Sequence, residues 1–324
     1  MRAILVSEYG GPEVLAVAER PDPEPGRGEV IVETAAIGVN FLDVVARAGR
    51  RPGALPFVPG HEGAGIVSRV GPGVSGVTPG DLVAWAWPGV PSSYAERVTV
   101  PAQWILPLPP RIDPETAAAV LIQGMTAHYL SQATYPVQPG DTVLVHAGAG
   151  GVGQLLTQMA KLRGGRVICT VSTAQKEKLA RDNGADEVIR YTETDFAAEV
   201  ARLTTGAGVA AIYDGVGGTT FDGNLASLAP RGVLAIYGQA GGPIPPFDPA
   251  RLVQAGSVYL TRTSLVHYAR SPQELRARAT DVFDLVQSGK VRVHVGGRYA
   301  LADARSAHQE LESRRSSGKL ILIP

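Results

Sequence analysis

Gly148, Gly150 and Gly153 stand in G-x-G-x-x-G spacing within "VLVHAGAGGVG", residues 143–153. An apolar β-type run comes directly before them and a helical pattern directly after. Glycines so placed permit a tight turn, let a pyrophosphate approach the backbone and let helix pack on strand, while the helix N-terminus offers amide donors and its positive dipole end. The chemistry implied is dinucleotide binding. About 20 residues beyond the first glycine an Asp or Glu would accept bonds from the ribose of NAD. Here the chain reads Val171-Ser172-Thr173-Ala174-Gln175-Lys176, with no acid. A small hydroxyl residue with a lysine four positions on suits the 2′-phosphate of NADP, which a carboxylate would repel, so NADPH is expected over NADH.

A second group of chemical residues sits in "PGHEGAG", residues 59–65, where His61 and Glu62 share a glycine-rich turn. A catalytic zinc typically takes three protein ligands and a structural zinc four, mostly cysteines. The chain has one cysteine, Cys169, no C-x-x-C, and Asn40 in "GVNFLD" where a preceding ligand could stand. The expectation is no metal, with His61 and Glu62 hydrogen-bonded in the turn. His128 and His146 read as packed histidines, because neither has an evident carboxylate partner along the sequence.

The glycine turn requires a strand before it and a helix after it, and the chain from Asp141 onward repeats that unit. Apolar runs near 143–147, 166–171, 209–213 and 233–237 alternate with the helical patterns "QLLTQMAKLR", "AQKEKLARDNGA", "DFAAEVARL" and "TFDGNLASL". Such alternation predicts right-handed βαβ units and a doubly wound parallel sheet. Before residue 113 the texture differs: runs such as "EVIVETAAIG" and "GDLVAWAW" are separated by the Gly/Pro turns "PDPEPGRGE" and "GPGVSGVTPGD". That pattern predicts a mostly antiparallel β domain. Asp113 reads as the N-cap, and Pro114 as the first residue, of a long helix over "PETAAAVLIQGMTAHYL" that carries the chain between domains. After about Thr263 the alternation stops. Ser271-Pro272-Gln273-Glu274 opens a helix through Gln287, and a further helix and the strand "KLILIP" return to the first domain. The expected fold class is α/β: a Rossmann doubly wound parallel-sheet domain at 126–262, with a discontinuous, mostly β domain at 1–125 completed by 263–324.

With 324 residues, 44% of them hydrophobic, the chain can bury two ordinary cores. Lys plus Arg (30) balance Asp plus Glu (30), and no run of like charge stands out. That argues against nucleic acid or an anionic membrane as partner and favours small molecules. No apolar run approaches the roughly 20 residues of a membrane span, and charge interrupts the N-terminus before a signal-type core develops, so a soluble, cytoplasmic protein is expected.

The segments "GGPEVL", "AIGVNFLD", "PGHEGAGIV", "GDLVA", "HAGAGGVG", "GTTFDGNL" and "AHQELESRRSSGKLILIP" together resemble the zinc-lacking, zeta-crystallin-like quinone oxidoreductases of the medium-chain dehydrogenase/reductase superfamily. The match runs in order along the whole chain. It implies that the β domain is GroES-like and catalytic, and that Asn40 stands where zinc-bearing relatives carry a ligating cysteine. It further implies that Asn40 and Phe41 lie beside the nicotinamide, with Thr126 at its other side, and that Gly151 and Val152 complete the pyrophosphate turn. Ser172 and Lys176 match the 2′-phosphate contacts, and Tyr191 lies beside the adenosine phosphate. Tyr237, Gly238, Gln239 and Ala240 match a loop facing the nicotinamide half, and Arg314 matches an arginine reaching the cofactor from the C-terminal segment. Two positions depart from the pattern: Arg51 replaces a tyrosine at the substrate mouth, and Val45 stands where a bacterial relative has another tyrosine.

Without a Lewis acid, the reaction must use an acceptor that is already electrophilic, such as a quinone or an activated enone. The protein then mainly positions and desolvates. No general acid is evident; Asn40 can hydrogen-bond a developing oxyanion, and Asp43 reads equally as a loop carboxylate. NADPH-dependent quinone reduction is the leading expectation, and enal or enone reduction the alternative. A structural or regulatory nucleotide-binding protein is the reading from another class. The edge strands of the nucleotide sheet suggest a homodimer.

Overall fold

A computed structural model describes residues 1–50, 52–86 and 92–324. Arg51, the expected substrate-mouth residue, lies outside the described residues. The chain forms two compact units, Met1–Met125 with Tyr268–Gly289 and Val293–Pro324, and Thr126–His267 with Lys290–Arg292.

The first unit begins with β1 (Arg2–Val6), β2 (Leu15–Glu19), β3 (Glu29–Gly38), α1 (Phe41–Arg47), β4 (Glu62–Val70), β5 (Leu82–Ala86), β6 (Arg97–Pro101) and β7 (Leu106–Pro107). Helix α2 (Pro114–Tyr129) follows, its first turn fixed by Asp113, which accepts from Thr116 N at 2.8 Å and Thr116 Oγ1 at 2.9 Å. β3 is the spine of this unit. It pairs antiparallel with β4 and with β6, so its residues are buried on both faces rather than in strict alternation. Val30 and Val32 pack with Trp85, Val98 and Val100 on one side, and Ile37 packs with Leu320 and Leu322 on the other.

The second unit alternates as its sequence predicts: β8 (Thr142–Val145), α3 (Gly151–Leu162), β9 (Arg166–Val171), α4 (Ala174–Asp182), β10 (Glu187–Arg190), α5 (Phe196–Leu203), β11 (Val209–Asp214), α6 (Phe221–Ser227), β12 (Leu228–Ile236), α7 (Ala250–Gln254) and β13 (Tyr259–Arg262). The sheet is parallel, in the order β10-β9-β8-β11-β12-β13. From β8 the chain steps outward to β10 and then crosses back to β11. The strand order therefore reverses between β8 and β11, and the carboxyl ends of these two strands mark the position at which such sheets bind ligands. Strand β10 is absent from the apolar runs read off the sequence because Glu187 and Arg190 flank only two apolar residues.

The chain then forms α8 (Pro272–Gln287), β14 (Val295–Ala300), α9 (Ala304–Glu312) and β15 (Lys319–Ile323). Ser271 caps α8, accepting from Glu274 N at 3.2 Å. β15 runs parallel to β14 and antiparallel to β3, with Ile321 opposite Gly38, which adds the C-terminal segment to the first unit's sheet. The return to that unit comes at His267/Tyr268 rather than at Thr263. Thr263 stays with the second unit because its amide donates to Ile236 O at 2.9 Å and its hydroxyl meets Tyr129 Oη at 3.1 Å. Lys290–Arg292 also fold with the second unit: Gln158 holds both the amide and the carbonyl of Arg292, at 2.8 and 3.0 Å.

Candidate active site

The glycine turn after β8 is tight enough to assign each glycine its reason. A Cβ on Gly148 would lie 2.6 Å from both Cβ and Sγ of Cys169, and one on Gly153 would press into the Ala147 backbone, 2.9 Å from its carbonyl carbon. Gly150 differs: the nearest atom to an added Cβ is Ala147 O at 3.1 Å, and its φ of −79° suits any residue. The fold thus requires glycine at 148 and 153, whereas a side chain at Gly150 would make one tight contact, with Ala147 O, and would stand in the cradle formed by the first amides of α3. The first amides of α3, those of Gly151, Val152 and Gly153, precede any intrahelical acceptor. Amide donors of a helix N-terminus at the sheet's switch point fit a pyrophosphate.

The residues expected around a 2′-phosphate converge on the same edge of the sheet. Arg190 pairs with Val171, so Tyr191 follows β10 level with Ser172 after β9. Thr192 Oγ1 donates to Ser172 O at 3.0 Å, and Thr173 caps α4 by accepting from Lys176 N at 3.2 Å. Ser172 and Lys176 lie on one turn, and Tyr191 is 47% exposed beside it. Tyr237–Ala240 follow β12; the Tyr237 amide donates to Asp214 O at 2.9 Å, and its ring covers Gly215. Thr126 is buried near the end of α2. Phe41 opens α1 and is 40% exposed, and Arg314 sits in a left-handed turn just past α9.

Asp214, which the sequence reading passes over, organises the loop after β11. Fully buried, it accepts from Val216 N, Gly217 N, Thr220 Oγ1 and Asn224 Nδ2 at 2.6, 3.2, 2.7 and 2.8 Å. Asn224 passes the contact on to His146 Nε2 at 2.6 Å, while His146 Nδ1 meets Thr170 Oγ1 at 2.8 Å. Burial lowers the His146 pKa, with Asp214 opposing. This histidine is a packed, neutral link.

In the first unit, buried Asn40, Glu62 and Lys319 form a polar cage with half-buried Gln123. Lys319 Nζ donates to Asn40 Oδ1 at 2.9 Å, to Gln123 Oε1 at 2.7 Å and to Glu62 Oε1. Three acceptors match the three hydrogens of an ammonium. Burial lowers the Lys319 pKa, and the Glu62 carboxylate opposes it. Glu62 also accepts from Asn40 Nδ2 at 2.9 Å and from the Ile122 amide at 2.8 Å. Asn40 is consequently filled: Nδ2 donates to Glu62 and to Gly38 O, and Oδ1 accepts from Lys319 and from Gln123 Nε2. Its expected bond to an oxyanion would need one amide hydrogen to leave Gly38 or Glu62.

Beside the cage, Asp43 and His61 form a pair, Oδ1 to Nδ1 at 2.5 Å. Asp43 is fully buried, and its Oδ2 accepts from the Asn40 amide at 2.8 Å and Tyr94 Oη at 3.0 Å. Burial alone would raise its pKa, but the His61 hydrogen bond leads the opposing contacts and the net direction is downward. Behind Tyr94 stand His308, Arg47 and Glu312.

Comparison with known proteins places this geometry in a family. The alcohol dehydrogenase GroES-like domain family matches residues 26–110, and the zinc-binding dehydrogenase family matches residues 151–283. A quinone oxidoreductase of Pseudomonas aeruginosa is 42% identical over 100% of this chain and 99% of its own. The chain belongs to the quinone oxidoreductases of the medium-chain dehydrogenase/reductase superfamily. Two further relatives of this quinone oxidoreductase chain inform its chemistry. A mycobacterial structure complexed with NADPH is 53% identical, with a TM-score of 0.96 and complete coverage of both chains. A 2-haloacrylate reductase of a Burkholderia species is 37% identical over 99% of this chain and 98% of its own.

The zinc named in one of the matching families does not fit this quinone oxidoreductase. Among the described residues no group of three or more His, Cys, Asp or Glu side chains is placed to hold a metal ion, and the centre of the polar cage is taken by the Lys319 ammonium. His61 is turned to Asp43.

The network behind Asp43 has a measurable signature. Burial pushes the His308 pKa down to about 4, so the folded protein binds its proton less readily than the unfolded chain does. Between about pH 6.5 and 4 the unfolded state carries the extra proton, and stability falls as the pH falls through that window, by up to roughly 3 kcal/mol from this residue. Denaturant titrations at pH 7 and pH 5 should show the loss in the parent protein and a smaller loss in His308→Gln.

Proposed function

We propose that the protein reduces quinones with NADPH and that it does so without a metal. The glycine turn at the switch point of the sheet carries this reading: it presents the first amides of α3 where a pyrophosphate would bind, in a chain 53% identical to one complexed with NADPH. When bound, NADPH supplies a hydride to an electrophilic acceptor. Gly148, Gly150, Gly151, Val152 and Gly153 form the turn that binds the pyrophosphate. Ser172, Lys176 and Tyr191 select the 2′-phosphate, and Tyr237–Ala240, Thr126, Asn40, Phe41 and Arg314 position the nicotinamide half. The 2-haloacrylate reductase relative favours a second reading, delivery of the hydride to a conjugated carbon.

Parallel initial rates with a naphthoquinone and a simple enone, using NADPH and NADH, test both readings on metal-analysed protein. Turnover with neither acceptor overturns both; stoichiometric zinc whose removal abolishes activity overturns the metal-free reading. Lys176→Ala is expected to lower the preference for NADPH over NADH by roughly tenfold or more, since it removes a charge-assisted contact to phosphate. An unchanged ratio would remove Lys176 from the site.

The homodimer is part of the same proposal. Among the described residues strand β13 ends the parallel sheet with one edge unpaired, and Tyr259 (62% exposed) and Val253 (70% exposed) stand on or near it. Pairing that edge with a second copy would satisfy its backbone groups and cover the apolar side chains. A cytoplasmic location agrees with the chain's one buried, unpaired cysteine.

A further inference from the structure

We propose that His146, Asn224 and Asp214 act as one positioning relay for the cofactor, setting the distance between the glycine turn after β8 and the loops after β11 and β12. The inference rests on the NADPH reading proposed above and gives a role to three buried polar residues that this reading leaves without one.

The relay lies wholly within the second unit and reaches the ends of three neighbouring strands. Thr170 belongs to β9, His146 follows β8 directly and Asp214 closes β11, while Asn224, on α6, bridges His146 and Asp214. None of the four residues is more than 1% exposed. The Asp214 carboxylate sets the sense of every bond behind it. Facing that acceptor, the Asn224 amide must present Nδ2 and leave Oδ1 to His146. Oδ1 only accepts, so the imidazole hydrogen is on Nε2, and Nδ1 accepts from the Thr170 hydroxyl. Burial keeps the ring neutral. The Phe196 ring stands edge-on to the imidazole, centroids 4.9 Å apart at 90°, and Gly223 has no Cβ to press on that ring.

At one end the relay fixes a double loop. Asp214 Oδ1 draws together the amides of Val216 and Gly217 and so bends the chain as it leaves β11. The loop after β12 is laced onto this bend: the amides of Tyr237, Ala240 and Gly241 donate to Asp214 O, Gly215 O and Val216 O at 2.9, 3.0 and 2.7 Å, and the Gly218 amide donates to Gly242 O at 3.1 Å. The two loops are too close for side chains between them. A Cβ on Gly238 would lie 2.6 Å from Gly215 O, and one on Gly217, where φ is +94°, 2.8 Å from Gly242 O. At the other end, the Gly148 amide donates to Thr170 O at 3.0 Å, so the glycine turn and the relay share the ends of β8 and β9.

The ladder between β8 and β11 ends at Val145 and Tyr213, with one more bond from the His146 amide to Tyr213 O at 3.1 Å. Beyond that point the glycine turn and the double loop diverge, and the relay continues the connection through side chains. NADPH bound as proposed spans both sides, with its pyrophosphate on the glycine turn and its nicotinamide against Tyr237–Ala240. An error of about 1 Å across that span misplaces the hydride donor and costs roughly a hundredfold in rate.

Two ligands separate positioning from simple support of the fold. NADPH spans the relay, whereas 2′,5′-ADP, which has the 2′-phosphate, the adenosine and one phosphate but no nicotinamide, lies on the β8 and β9 side alone. His146→Leu should weaken NADPH binding roughly tenfold, because the ligand must then order the two sides itself, lower kcat with a naphthoquinone roughly a hundredfold, and leave 2′,5′-ADP affinity within about twofold of the parent. His146→Gln, whose side-chain amide takes the place of Nε2–H as donor to Asn224 Oδ1, should recover most of both losses. Equal weakening of the two ligands, an unchanged NADPH affinity or the absence of rescue overturns the proposal. In the unmodified protein the amides of Val216 and Gly217 should exchange their hydrogens as slowly as those of β8 and β11, and this arm holds even if the variants do not fold. Exchange at the rate of an open loop overturns the proposal. An unmodified protein that does not bind NADPH overturns the NADPH reading and the relay's role with it.

Discussion

Lys319→Met is expected to destabilise the protein by about 3–5 kcal/mol, the usual cost of removing one partner from a buried ion pair. The side chains of Lys319 and Glu62 are 3% and 0% exposed, so methionine would leave a carboxylate in the interior with no cation to offset its desolvation. Gln123 Oε1 would lose its Lys319 donor, and Asn40 Oδ1 would keep one donor of two. Lys319→Met with Glu62→Gln removes both charges and should recover most of the loss, leaving the double variant within about 2 kcal/mol of the parent, because buried pairs are often replaceable as a unit. Denaturant unfolding of the two single variants and the double variant measures the coupling. A Lys319→Met protein within about 1 kcal/mol of the parent would mean that water reaches the cage and that the ammonium is no fixed part of it.

The cage also marks the limit of what the sequence discloses. Asn40, Asp43, His61 and Glu62 are recognisable as polar residues in two glycine-rich segments, and their types are enough to argue against zinc. Their partners are not recognisable. Lys319 is 279 residues from Asn40, His308 is 214 residues from Tyr94, and Gln123 is 83 residues from Asn40. None of these pairs follows a helical or strand period, and the Lys319 pair depends on β15 returning to β3. Hence Asn40 reads from sequence as an amide able to serve an oxyanion, whereas in the fold all of its hydrogen-bonding capacity is taken. His61 reads as a turn residue, yet in the fold its ring is held by the buried Asp43 carboxylate. The second unit is far more legible because its information is local. Strand, glycine turn and helix are contiguous, and the missing acid after β9 is a single position; the N-caps Asp113 and Ser271 of the first unit are legible for the same reason, each lying within three residues of the amide it satisfies. Even in the second unit, Asp214 is invisible as an organiser, because its burial follows from strand order and not from its neighbours in sequence.

Alanine at Gly150 and alanine at Gly153 should produce opposite failures, although the two glycines belong to one motif. At Gly150 the backbone is extended, φ −79° and ψ 171°, and an added methyl makes a tight contact with Ala147 O at 3.1 Å that a shift of a few tenths of an ångström relieves. Gly150→Ala should fold with about 1 kcal/mol lost, from that shift and a poorer N-cap. Its methyl would stand in the cradle where the pyrophosphate approaches, so NADPH affinity should fall tenfold or more, about 1.4 kcal/mol at least. At Gly153 the added methyl meets the Ala147 carbonyl, a backbone group anchored at both sides, since the amides of Gly150 and Gly148 are tied to Ala147 O and Thr170 O at 2.8 and 3.0 Å. Gly153→Ala must therefore displace α3 from the end of β8, at about 1–3 kcal/mol of overpacking strain or more. Melting curves with and without NADPH separate the two cases: the Gly150 variant should keep its melting temperature and lose most of the ligand-induced rise, while the Gly153 variant should melt early in both conditions. A Gly150→Ala protein that binds NADPH as tightly as the parent would place the pyrophosphate elsewhere, and the proposed function would lose the observation that carries it.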